Sequence, residues 1–161
     1  MFISKEIKLK LFKSLILPHF LACDFILTDA SAVAMNKLRI ALNSCVRYVF
    51  NLDRLASVSH LQHHLIGCPF KNFARMRSCL FLHKLAKHQV PRYLYNKLQC
   101  ARSSRLNKFI VPRFQSSKYG NSFFVRGVVF WNSLPNDLSH VISPITFKRN
   151  CIEHFNQVMY N

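Results

Sequence analysis

The stretch FKNFARMRSCLFLHKLAKH, residues 70–88, decides the fold of this chain. It contains neither proline nor glycine, and Pro69 stands where prolines often begin a helix. Apolar residues cover most of the circumference that such a helix would have. Val90 and Pro91 end the segment, because the residue before a proline avoids the helical region. Residues 70–88 are therefore predicted to form a helix with apolar residues on most sides.

The first segment also has helical spacing. Residues 4–17 predict a helix that is buried on most sides, and Pro18 is expected to kink or end it. Leu17 is expected to leave the helical region, and a second helical piece is predicted over about 19–27. The apolar positions form two rows, Ile3, Ile7, Leu11 and Leu15, and Leu9, Phe12 and Ile16.

Ser31 predicts the cap of a long helix that reaches about residue 50. After a break at residues 51–54, Ser57 or Ser59 begins a short helix that Gly67 ends. The predicted inward residues of the long helix are Val33, Leu38, Leu42, Cys45, Val46 and Val49.

The composition changes after a short helix that runs from Pro91 to about residue 100. Residues 101–121 carry five bases, four serines and no acid, which predicts an extended loop with a short strand over 108–111. A helix resumes at Ser122 and is stopped by Pro135.

The last helix is predicted to begin at Ser143 and Pro144 and to reach about residue 159. The predicted fold class is mainly α, an irregular helical bundle with a basic, loop-rich C-terminal part. The predicted units are residues 1–52, 53–100, 101–121 and 122–161.

Charge is the strongest indication of function. The chain has 23 Lys and Arg against 6 Asp and Glu, a net charge of +17. No carboxylate occurs over residues 54–136, which predicts RNA or DNA as the partner through phosphate contacts. A solvated basic surface and an anionic membrane are the weaker interpretations. The predicted nucleic-acid-binding residues are Arg75, Arg77 and Lys84 in the central helix, and Arg102, Arg105, Lys108, Arg113, Lys118 and Arg126 in or beside the basic loop, where Phe109, Phe114 and Tyr119 are interleaved.

The sequence predicts no enzyme activity, cofactor, metal, small-molecule ligand or membrane partner. Polymerase or nuclease chemistry needs clustered carboxylates, whereas the four aspartates are scattered singly. The best metal candidate is His60, His63 and His64, which lacks a full set of zinc ligands. The scattered aspartates are Asp24, Asp29, Asp53 and Asp137.

Six widely spaced cysteines, none in a C-x-x-C pair, favour buried reduced thiols in a nuclear or cytoplasmic protein. A small secreted protein with disulfides is the alternative, since lysines precede an apolar run over 15–27. Pro18, His19 and Asp24 interrupt that run, which argues against a signal peptide.

Residues 131–135, Trp-Asn-Ser-Leu-Pro, hold the only tryptophan. Its helical neighbours are aromatic and aliphatic, so Trp131, Leu134 and Pro135 are predicted to be a structural anchor at a helix end. Mutation of Trp131 is expected to unfold the C-terminal part before it affects binding.

The Trp131 block resembles the W-N-S-L-P block near the carboxyl end of non-LTR (LINE-type, jockey-like) retrotransposon reverse transcriptases. Further blocks follow in the family's order over most of residues 7–155, although the glutamines of the second are missing. These blocks are KLFKSLILP (10–18), NKLR to RYV (36–49), LFLHKL with VPRYL (80–94), residues 105–112, Arg126-Gly127 and TFKR (146–149).

The resemblance implies a thumb and post-thumb region that grips an RNA template or RNA–DNA hybrid, with residues 1–52 as thumb-like helices. It also implies the remaining polymerase domains as partners and a truncated genomic copy as the origin. The endonuclease and the Y-x-D-D block of the family are missing from the sequence. An orphan basic helical module that docks an acidic protein is the alternative function.

Overall fold

The computed structural model of the chain describes residues 3–22, 27–101 and 107–157. The fold is mainly α, as predicted. The helices are α1 (Lys5–Leu11), α2 (Leu17–Leu21), α3 (Ala32–Phe50), α4 (Gln62–Ile66), α5 (Phe70–His88), α6 (Arg92–Tyr95), α7 (Ser117–Asn121), α8 (Phe123–Asn132), α9 (Asn136–Ser139) and α10 (Pro144–Gln157).

Helix α5 confirms the prediction for residues 70–88 and forms the centre of the fold. It ends at Gln89, whose left-handed backbone (φ 54°) donates its N–H to the Leu85 carbonyl. Helices α8 and α10 both pack along α5. Its buried side chains therefore lie on several sides, and they are Phe70, Asn72, Phe73, Met76, Ser78, Cys79, Leu82, His83 and Leu85.

The first helix begins as predicted but is less buried than expected. The Ser4 hydroxyl accepts the N–H of Ile7 and caps α1. The expectation of burial on most sides is wrong, because Ile7 is 52% and Leu15 62% exposed, whereas Phe12 is buried. The helix packs against α3 along one side, which leaves one apolar row in solvent.

Pro18 does not end the helical path. A π-helical turn, Phe12–Ile16, joins α1 to α2, and Pro18 lies in the first turn of α2. Leu17 stays helical (φ −55°, ψ −38°), contrary to expectation. In the π-turn the Leu17 N–H donates to the Phe12 carbonyl. Pro18 then lies in the first turn of α2, where backbone N–H groups have no partner within the helix, so its missing N–H costs no hydrogen bond. Helix α2 ends at Leu21, before the predicted end near 27, and residues 23–26 lie outside the described ranges.

Helix α3 has the predicted cap, in which the Ser31 hydroxyl accepts the N–H of Ala34. Leu42, Val46 and Val49 are buried as expected, and Leu38 and Cys45 are half-buried. Val33 was expected to face inward but is 67% exposed, because it lies roughly 180° around the helix from the buried Leu42 at about 100° per residue.

The connection between α3 and α5 follows the sequence signals. A 3-10 turn over Ser59–Leu61 leads into α4, and Gly67 ends α4 with φ 86°, a backbone region that glycine adopts without strain.

Helix α6 ends at Tyr95, earlier than predicted. The chain instead extends to pair Cys100 with Phe109 in an isolated antiparallel bridge, so the strand predicted over 108–111 is reduced to one bridge.

The basic segment is not an extended loop throughout. Residues 117–121 form α7, because the Ser116 hydroxyl accepts the N–H of Tyr119 and caps a helical turn. Residues 102–106 lie outside the described ranges.

Helix α10 begins as predicted. The Ser143 hydroxyl accepts the N–H of Thr146, and the Ser143 carbonyl accepts the N–H of Phe147.

One cluster of buried side chains connects Phe12 with α3, α4, α5, α8 and α10 within the described residues. None of the helices in these ranges combines the length and the hydrophobicity that a membrane-spanning helix requires. Three cysteines belong to the cluster, and burial raises the pKa of the Cys68 and Cys151 thiols to about 12 and that of Cys79 well above its usual value. Cys45 and Cys100 are also free thiols, and Cys23 lies outside the described ranges.

This arrangement predicts two classes of thiol. Exposed Cys100 should react with a thiol reagent in the native protein, whereas Cys68, Cys79 and Cys151 should react only as the protein unfolds, because a buried thiol forms little reactive thiolate. Titration in denaturant without reductant should find six thiols. Fewer than six would favour the secreted, disulfide-containing alternative.

Candidate nucleic-acid interface

The predicted anchor binds the main chain of the basic segment at Asn107. Trp131 is 2% exposed, and its Nε1–H donates to the Asn107 carbonyl at 2.8 Å. Asn107 adopts φ 40°, a left-handed conformation that asparagine tolerates, and its side-chain amide donates to the Ser139 carbonyl. Leu134 is buried beside the tryptophan helix, whereas Pro135 is exposed and caps α9.

Asn132 makes a second attachment that the sequence analysis missed. Its side-chain oxygen accepts the N–H of Phe109 at 3.1 Å, and its side-chain NH₂ donates to the Phe109 carbonyl at 2.8 Å. Trp131 and Asn132 together fix the main chain of residues 107–109, and we call this pair of attachments the Trp–Asn bracket.

An aromatic cluster supports the bracket from within. The rings of Phe109 and Phe147 lie 5.8 and 5.7 Å from that of Trp131. His83 stacks on Phe147 with ring centroids 4.1 Å apart, and its Nε2 bonds the Val141 carbonyl at 2.7 Å. Since the carbonyl can only accept, His83 carries a proton on Nε2. Burial lowers the pKa of His83, so its neutral form is favoured.

The segment that leaves the bracket forms one wall of a groove. The groove has a volume of about 560 Å³, and the Lys97 ammonium lies 5.4 Å from the centre of the Phe124 ring at its side. An adjoining depression shares its residues 112, 113 and 119 and adds Phe114, which is 52% exposed. We call this surface the basic groove, and its main residues are Lys97, Ile110, Arg113, Phe114, Tyr119 and Phe124.

A second basic surface lies elsewhere on the bundle. Arg77 and Lys84 from α5 and Lys148 from α10 line a cleft of about 130 Å³. Leu80, Phe81 and Phe147 are among its apolar lining residues. We call this the α5–α10 cleft. Arg77 and Lys84, both predicted to bind nucleic acid, thus lie on one wall of a concave site.

The predicted binding residues do not form one surface. Arg113 lies in the basic groove, and Arg77 and Lys84 lie in the α5–α10 cleft. Arg75 instead lies 5.5 Å from the centre of the Phe130 ring, and Arg126 donates to the Thr28 carbonyl at 2.8 Å. Those two interactions give Arg75 and Arg126 packing roles within the bundle.

The remaining predicted residues are the basic residues of the loop and its short helix. Lys108 is half-buried next to the bracket, and Lys118 is exposed on α7. Arg102 and Arg105 lie outside the described ranges.

Two bases at these surfaces were missed as binding residues. Lys97 belongs to the carboxylate-free span and faces the groove from beyond α6. Lys148 lies in the TFKR block, which belongs to α10. Its helical spacing from the first turn of α10 indicates which face of that helix carries it. Neither could be assigned to a surface without knowing which helices are neighbours.

The histidines 60, 63 and 64 do not gather further ligands. Within the described ranges, no group of three or more His, Cys, Asp or Glu side chains could hold a metal ion. The rings of His63 and His64 instead contact each other, with centroids 3.9 Å apart and planes tilted by 39°.

Comparison with protein-family models, with curated proteins and with solved structures found no match to this chain.

The Trp–Asn bracket predicts a graded loss of stability. W131A should lower the free energy of unfolding by about 3–5 kcal/mol, as expected for loss of a buried large aromatic side chain. N132A should lower it by about 1–3 kcal/mol, because two backbone groups of Phe109 lose their partners. Urea unfolding followed by circular dichroism measures both.

S133A is the matched control, because Ser133 is exposed and its hydroxyl bonds the Phe130 carbonyl within the same helical turn. It should change stability by about 0.5 kcal/mol or less. An equal effect of N132A and S133A would contradict the bracket.

Burial of His83 predicts a pH dependence of stability. The folded-state pKa is lowered from 6.5, so below about that pH the unfolded chain binds more protons than the folded one. Stability should therefore fall as pH decreases from 7.5 to 5.5, and burial of His154 acts in the same direction. Thermal unfolding at each pH measures it.

In H83Q the fall in stability from pH 7.5 to 5.5 should be smaller than in the parent protein. The variant should be less stable at every pH, because it loses the stacking on Phe147. H60Q, at an exposed histidine, should keep the parent pH dependence. An unchanged pH dependence in H83Q would show that His83 is not the group responsible.

Proposed function

We propose that this protein is a non-catalytic nucleic-acid-binding unit that grips an RNA strand or an RNA–DNA hybrid through phosphate contacts in the basic groove. The observation that carries the proposal is the combination of Lys97 and Arg113 with Tyr119, Phe114 and Phe124 at one concave surface.

The charge balance supports a polyanionic ligand. A chain with net charge +17 repels itself, and each phosphate that contacts a base releases counterions and gains affinity. The groove lies in the part of the chain, residues 54–136, that contains no carboxylate. Binding of this kind depends on charge and carries no sequence information.

The aromatic residues favour a strand with unpaired bases. Tyr119 is 45% and Phe114 52% exposed, so each presents ring surface to solvent next to Arg113. Exposed aromatic rings between bases are the elements that single-stranded nucleic-acid sites use, because any base can stack on them. Of the two proposed ligands, the rings favour the unpaired RNA strand, whereas a hybrid would bind through its phosphates.

The bracket supports the proposal by making one wall of the groove rigid. Phe109 is fixed by Asn132, and residues 110–113 of the same short segment line the groove. A wall held in place loses less conformational entropy on binding than a free loop. The W-N pair therefore positions binding residues without contacting the ligand.

We also propose that the chain is related to the C-terminal thumb and post-thumb region of non-LTR retrotransposon reverse transcriptases. The support is the order of short sequence blocks, together with a helical fold that suits such a region. The proposed partners are then RNA, DNA and the polymerase domains of the parent element, and the proposed location is nuclear or cytoplasmic.

The test is a salt series with fluorescent single-stranded RNA, single-stranded DNA and an RNA–DNA hybrid. The parent protein should bind them with log K falling linearly as log salt rises. In K97Q/R113Q binding should weaken, and the slope should decrease by roughly 0.7 for each phosphate of a single strand that the variant no longer neutralises.

K13Q/K37Q is the matched control, because it removes the same charge from exposed positions of the N-terminal half. It should bind nearly as tightly as the parent. Equal weakening in both variants would show that net charge alone governs binding. Tighter binding to an acidic protein than to any nucleic acid would favour the alternative, an acidic protein partner.

A further inference from the structure

The α5–α10 cleft concentrates positive charge outside the basic groove. Lys84 and Lys148 are exposed and Arg77 is half-buried, and all three line the same cleft of about 130 Å³. Among the described residues that line it there is no carboxylate. From this convergence we propose that the cleft is a separate site for a terminal phosphomonoester of a nucleic-acid strand. The inference rests on the proposed function, because it names a second contact with the same class of ligand.

The charge of the cleft favours a phosphomonoester over an internal phosphodiester. A phosphomonoester carries roughly −1.5 to −2 charges near pH 7 and has three terminal oxygens, whereas an internal phosphate carries one charge. The guanidinium of Arg77 has the planar geometry that can bond two of those oxygens. Lys84 and Lys148 add two further positive charges. Three bases suit the dianion better than they suit one link of the backbone.

The size of the cleft favours the end of a strand. Its volume of about 130 Å³ is close to the roughly 150 Å³ of a protein cavity that holds one benzene molecule. Leu80 and Phe81, both half-buried, offer apolar surface on which the terminal sugar can rest. An internal phosphate would have to bring two flanking nucleotides with it, whereas a terminal phosphate brings one.

Contacts between α5 and the start of α10 hold the two walls of the cleft together. His83 of α5 stacks on Phe147 of α10, and its Nε2 bonds the Val141 carbonyl just before α10. The Lys87 ammonium donates to the Ile142 carbonyl at 3.2 Å. These interactions hold α5 and the start of α10 together, so Lys84 and Lys148 project from fixed positions.

The experiment compares three trinucleotides of one sequence, with a 5′-phosphate, a 3′-phosphate or two hydroxyl ends. Binding is measured by calorimetry and by the fluorescence of Trp131, the only tryptophan, whose ring centre lies 5.7 Å from that of Phe147. At least one phosphorylated form should bind roughly tenfold more tightly than the hydroxyl form, a ratio typical of one added charge-assisted hydrogen bond. The arm that gains affinity identifies which end of the strand enters.

The variant K84Q/K148Q should reduce that ratio to about one, since both side chains are exposed and their loss should leave the fold intact, as circular dichroism will check. K37Q/K71Q removes the same charge from other exposed positions, Lys71 lying on α5 itself, and should keep the ratio. If the control variant loses the preference equally, general charge explains it and the inference is overturned.

Equal affinity for all three trinucleotides, or no binding of the phosphorylated forms at low salt, also overturns the inference. The proposed function is tested separately, by the effect of K97Q/R113Q on a long strand with hydroxyl ends. If that strand binds through the groove while trinucleotides show no preference, the cleft inference fails alone. If the trinucleotide preference holds while K97Q/R113Q has no effect, the groove assignment fails alone.

Discussion

The packing of α8 and α10 against α5 is the constraint on which the rest of the structure depends. Trp131 from α8, Phe147 from α10 and His83 from α5 meet in one aromatic cluster, and all three are buried. A buried aromatic side chain removes more apolar surface from water than almost any other, and its shape admits few alternative packings. This cluster therefore fixes the relative positions of three helices, and with them the positions of both basic surfaces.

The cluster also links the hydrophobic core to the polar surface. The Trp131 ring is buried, and its Nε1–H donates to the carbonyl of Asn107. The neighbouring Asn132 side chain bonds both the N–H and the carbonyl of Phe109. A buried polar group needs a partner, and here the partners are backbone atoms of the basic segment. The segment that supplies Arg113 is held by the same two residues that complete the core, so stability and the shape of the groove are coupled.

The two basic surfaces differ in the kind of contact that they offer. The basic groove is open, and its exposed rings lie beside widely placed bases, an arrangement suited to a strand that passes through. The α5–α10 cleft is smaller and gathers three bases around apolar side chains, an arrangement suited to one compact anion. The N-terminal region differs from both, because the row Ile3, Ile7, Leu11 and Leu15 remains exposed along α1 and the π-turn that follows it.

The sequence by itself determined the fold class, the extent of α3 and α5, the caps at Ser31 and Ser143, the glycine end of α4 and the burial of Trp131. These follow from local signals, which are hydrophobic period, hydrogen-bonding side chains at helix starts, and backbone freedom at glycine. Only the tertiary structure decided the exposure of the first apolar row, the partner of Asn132, and the division of the predicted bases between groove, cleft and packing roles. Those properties depend on which helices become neighbours, and the periodicity of one helix carries no information about the surface it meets.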